Sequence, residues 1–173
     1  MGRPPARRAL ALALAAVAAG AAGLLACPVR AAPTRVVVTL ALQGGAGTPL
    51  HGIDALVALP AGAVVASDPA TGRVAPAALV LEGGVKNAVV EGRFTPHAKA
   101  PSLRVLVASL APLLPGPVIS FTMTIPGGVP SPSAFEVAKS LVATETGAPV
   151  GNAGLLVASV KLAPAEAPPA AGR

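Results

Sequence analysis

Two histidines, seven carboxylates and one cysteine are the side chains of this 173-residue chain best suited to acid–base, nucleophilic or metal chemistry. Nucleophilic acyl transfer needs Ser or Cys beside a base that a third group orients. The bases on offer are His51 and His97. His51 stands beside Gly52, just ahead of an alternating apolar run, and His97 lies in the loop-like stretch Thr95-Pro96-His97-Ala98-Lys99. No G-x-S-x-G turn accompanies either one, so both are expected to be loop histidines and no catalytic residue is assigned. The two histidines and Asp54 lack metal-ligand spacing. A calcium site needs several convergent oxygens, and Asp68 with Thr71 offers no more than a turn that Asp68 caps through its own backbone. Glu82 and Glu91 flank Gly83-Gly84 and could approach across a hairpin as a glycosidase pair does. Solvated strand ends explain them more simply. Gly44-Gly45-Ala46-Gly47 lacks the Lys-Ser/Thr and the helix of a phosphate loop, and is read as a hairpin turn. No cofactor or metal site is expected, and the chain is not expected to be an enzyme.

The elements that would position any site have a period of two. From Val118 to Ile125, Ile119, Phe121, Met123 and Ile125 alternate with Ser120, Thr122 and Thr124. One face is apolar and the other hydroxylated, as a half-buried antiparallel strand requires. Ile53–Leu59 and Leu103–Val107 alternate in the same way. Further strands are expected at Val36–Leu42, Ala63–Ala66, Ala77–Glu82, Ala88–Phe94, Phe135–Thr144 and Leu155–Leu162. Turn chemistry punctuates them, as in Asp68-Pro69-Ala70-Thr71-Gly72, Pro126-Gly127-Gly128 and Gly147-Ala148-Pro149. Pro112–Pro117 is read as a loop or one helical turn, and Pro126–Pro132 as a second loop. Nine short strands without an amphipathic helix predict an all-β, antiparallel β-sandwich.

The N-terminus is read separately. Arg3, Arg7 and Arg8 precede the apolar run Ala9–Ala26, and small residues follow. This is the pattern of a secretory signal peptide. Val29-Arg30-Ala31 offers a cleavage site that would start the mature chain at Ala32. Leu24-Leu25-Ala26-Cys27 resembles a lipobox, with the leader ending at Ala26 and Cys27 lipidated. The expected organisation is a signal peptide over 1–31, a sandwich over 32–162 and a disordered Ala/Pro-rich tail over 163–173. The whole chain carries +6. Beyond residue 31, nine Lys/Arg face seven Asp/Glu, a net of +2. These cations are scattered in sequence, and with no Trp or Tyr there is no stacking platform, so no nucleic-acid partner is expected. Phe94, Phe121 and Phe135 are expected in the core, which argues against sugar stacking.

The order of these segments resembles a known family. His51–Gly62 followed by Val64-Val65-Ala66, then Ser102–Ala108, Pro117–Ile125 and the closing Leu155–Leu162, is similar to the strand sequence of cohesin domains. The resemblance covers roughly Arg35–Leu162. It implies a nine-stranded jelly-roll sandwich, shared in fold with bacterial carbohydrate-binding modules, that binds a dockerin-type protein through one sheet face. The expected contacts are Ser120, Thr122 and Thr124, the hydroxyl side of the clearest strand. The expected function is a non-catalytic binding or scaffolding module, secreted or held in the cell envelope, touching membrane only through its signal or a lipid on Cys27. The alternatives are a carbohydrate-binding module and a tethered structural surface protein.

Overall fold

A computed structural model describes residues 32–164, apart from 46, 84, 86, 98 and 99. The segment 1–31 expected to be a signal peptide, with Cys27, and the tail residues 165–173 lie outside the described residues.

Among the described residues nine strands form: β1 (Pro33–Gly44), β2 (Leu50–Ala58), β3 (Val64–Val65), β4 (Leu79–Leu81), β5 (Ala88–Thr95), β6 (Ser102–Leu113), β7 (Gly116–Pro126), β8 (Glu136–Ala143) and β9 (Ala153–Leu162). They make two antiparallel sheets, so the all-β sandwich read from the alternation is the fold. The five-stranded sheet runs β3-β7-β1-β9, with β4 also paired to β7, and the four-stranded sheet runs β5-β6-β2-β8.

The alternation decides which side of each strand is buried. In β7, Ile119, Phe121, Met123 and Ile125 point inward; across the register they meet Leu40, Val38, Val36 and Thr34 of β1. Ile53, Ala55 and Val57 of β2, with Leu103, Val105 and Val107 of β6, supply the opposing layer. All three phenylalanines lie in this core. Removing a side chain of that size from water stabilises the fold by roughly 1.5–3 kcal/mol.

Three local expectations change. The Gly44–Gly47 segment is a crossover, because β1 belongs to the five-stranded sheet and β2 to the other. Pro112 lies within β6, which continues to Leu113. Between the pairs Gly52↔Ala108 and Leu50↔Leu113 the register shifts; a bulge leaves that stretch without ladder partners on β2, which proline requires. Ala77–Glu82 is a strand only over Leu79–Leu81, because Pro76 opens a 3₁₀ turn ahead of it.

Candidate functional site

The candidate site begins at a turn. Asp68 Oδ1 accepts the backbone N–H of Ala70 at 3.0 Å, that of Thr71 at 2.8 Å and the Thr71 hydroxyl at 3.0 Å. These bonds, led by the Thr71 backbone N–H, hold the Asp68 carboxyl below its ordinary range. Gly72 closes the turn with φ at +71°, and a Cβ there would stand 2.6 Å from the Phe94 carbonyl oxygen. The chain then returns along the edge of β5. Phe94 N–H donates to Gly72 O at 2.8 Å and Val74 N–H to Gly92 O at 2.9 Å. Arg73 is thereby paired with Arg93.

The ladder extends this row across the sheet. Arg93 of β5 is opposite Arg104 of β6, Arg104 is opposite Leu56 of β2, and Leu56 is opposite Lys139 of β8. Inward-facing Gly92, Phe94, Leu103 and Val105 alternate with these residues, so all of them face outward. Four cations and one leucine thus lie side by side, on strands about 4.8 Å apart. The next row is Glu91, Leu106, Asp54 and Leu141.

Two carboxylates compensate two of the cations. Arg104 grips Asp54 with both arms, Nε to Oδ1 at 2.9 Å and Nη2 to Oδ2 at 2.7 Å. Hydrogen bonding from Arg104 is the main reason the Asp54 carboxyl is held below its usual range, and the charge of Lys139 adds to it. Arg73 Nη2 donates to Glu91 Oε1 at 2.8 Å. Arg93 has no ion pair or side-chain hydrogen bond among the described residues, and neither has Lys139. A cleft of about 400 Å³ opens here, lined by Thr71, Arg73, Glu91, Gly92, Arg93, Arg104 and Leu106. Around it Leu106, Leu141 and Val89 are 41%, 42% and 65% exposed. The arrangement can bind a carboxylate and cover apolar side chains.

The residues expected to make contact lie on the opposite sheet. Ser120, expected to be exposed, is only 4% exposed and shares a 3.0 Å hydrogen bond with the Thr39 hydroxyl. Its alternation does turn it outward, but β1 and β4 flank it on both sides. Thr122 and Thr124 are half-buried and line a groove of about 340 Å³ with Arg35 and Val64.

His51 donates from Nδ1 to Ser109 O at 3.1 Å. It shares a depression of about 520 Å³ with Glu145, and no hydrogen bond joins the two. His97 Nδ1 accepts the Ala100 N–H at 3.3 Å. Glu82 and Glu91 do not form a pair across a hairpin, because β4 and β5 belong to different sheets. Among the described residues no three His, Cys, Asp or Glu gather as metal ligands.

The sequence reading missed the cationic row, whose members come from four separate segments. The one signal available was the outward alternation of Glu91 and Arg93 in β5 and of Arg104 and Leu106 in β6. Searches of protein-family models, of curated proteins and of solved structures found no match.

Proposed function

We propose that the chain is a non-catalytic binding or scaffolding module, secreted or held in the cell envelope, resembling a cohesin in the strand sequence of its jelly roll. It takes a protein partner through the outer face of the four-stranded sheet. The observation that carries this reading is the partly exposed leucine pair Leu106 and Leu141, set among charges on a sheet braced by the core behind it. Apolar anchors ringed by polar groups are the arrangement that protein interfaces use. The buried positions of all three phenylalanines favour a protein over a neutral polysaccharide, which binds by stacking on exposed rings.

Two measurements test the proposal. Expression of the full chain in a bacterial host, followed by mass analysis of the exported product, is expected to find a start at Ala32 or a lipidated Cys27. In the second case Cys27→Ser abolishes lipid labelling. A product that keeps Met1 inside the cell overturns the export part. The exported protein is then immobilised and offered purified dockerin modules and insoluble polysaccharides. Saturable binding of a protein module supports the reading, and retention on polysaccharide alone overturns it.

A further inference from the structure

Arg93 occupies an unfavourable position. It stands directly opposite Arg104 on the neighbouring strand and opposite Arg73 on its other side. Like charges opposed across a ladder destabilise a sheet. Arg73 and Arg104 are each relieved by a carboxylate, Glu91 and Asp54. Arg93 has no such relief among the described residues, although it borders the cleft between those two ion pairs. At the far end of the same row Lys139 also lacks a salt bridge among the described residues. Glu136 is exposed one row further along β8 and forms no ion pair among the described residues.

We infer that the cationic row Arg73–Arg93–Arg104–Lys139 is a docking site for an acidic segment of a partner protein, with a partner carboxylate seated on Arg93. This rests on the binding-module reading above and gives it a partner chemistry. A guanidinium recognises a carboxylate through two parallel N–H donors, and Arg93 is the arginine of the row whose donors no carboxylate occupies among the described residues. The two neighbouring ion pairs hold Arg73 and Arg104 in place, so the cleft is organised before the ligand arrives. Leu56, Leu106 and Leu141 lie in and beside the row, so the fitting segment alternates acidic with apolar side chains. A uniformly charged polysaccharide or nucleic acid offers nothing to these leucines.

The test uses the full exported chain and a labelled peptide of alternating Glu and Leu, with a Lys–Leu peptide and soluble polygalacturonate as comparison probes. Fluorescence anisotropy measures affinity, and thermal melting is recorded on the same samples. The Glu–Leu peptide is expected to bind, to weaken as salt rises, and to lose at least tenfold in affinity with Arg93→Thr. The melting temperature of that variant is expected to stay level or rise, because threonine suits a strand and removes the like-charge contact. Lys139→Thr is expected to weaken binding by a smaller factor. Equal binding of the Glu–Leu and Lys–Leu peptides overturns the inference, as does binding of polygalacturonate alone. Peptide binding that Arg93→Thr leaves unchanged also overturns it. If a protein partner binds wild type and the Arg93→Thr variant equally, the inference fails while the module reading stands. If neither protein nor peptide binds, both fail.

Discussion

The outer face of the five-stranded sheet carries a row of hydroxyls beside exposed Val64 and Val80 and the cations Arg35 and Lys161, and that of the four-stranded sheet carries a row of cations beside leucines. On the first, Ser120, Thr39 and Ser159 lie in register across β7, β1 and β9. Their side chains are short, and Thr39 and Ser120 satisfy each other at 3.0 Å. On the second, the side chains are long and only partly satisfied. Arg104 and Arg73 reach carboxylates, and Arg93 reaches none among the described residues. A hydroxyl ladder closes on itself and contributes to the fold. An opposed row of cations costs stability, and a partner that neutralises it recovers that cost.

The first way to break this comparison is to find that the core does not dominate stability. Phe121→Ala empties the centre of the inner layer and is expected to cost about 3–5 kcal/mol in urea unfolding. A substitution on either outer face that cost as much would end the distinction between core and contact surface. Next comes the turn that delivers Arg73. Gly72→Ala forces a side chain into a positive φ and against the Phe94 carbonyl, with an expected loss of about 1–3 kcal/mol. The hydroxyl face is tested by Ser120→Ala, which leaves a half-buried Thr39 without its partner and should cost roughly 0.5–1.5 kcal/mol.

Smaller effects come from the charges. The Asp54 and Asp68 carboxyls are both held below their ordinary value of 3.8. Their stabilising contribution is therefore complete above about pH 5 and is lost as pH falls further, through the folded-state values. Melting temperatures across acid pH are expected to show this loss, and Asp54→Asn is expected to make the decline shallower. Arg93→Thr has the smallest expected effect, a gain of a few tenths of a kcal/mol at most. A clear loss would make Arg93 a structural residue.

The strands were legible because burial on one face leaves a period of two that no neighbour is needed to read. β7 is the clearest case, and all nine strands overlap the expected segments, although β6 runs on to Leu113, into the stretch expected to be a loop. The Asp68 cap was legible for a similar reason, since its partners are two and three residues away. What could not be read was register. Ser120 does point outward, but outward is not exposed when strands pair on both sides of it. Arg73, Arg93, Arg104 and Lys139 look dispersed along the chain, and only the ladder pairings bring them into one row. Gly44–Gly47 has hairpin chemistry, yet the choice between hairpin and crossover is made by where β2 finds its partners.

The most direct measurement is an NMR titration of the isotope-labelled chain with the alternating Glu–Leu peptide, mapping which outer face responds. The account predicts shifts at Arg93, Arg104, Leu106, Leu56 and Leu141, with Thr39, Thr122 and Ser159 unmoved. Shifts centred on Thr122 and Thr124, or none at saturating peptide, would contradict it.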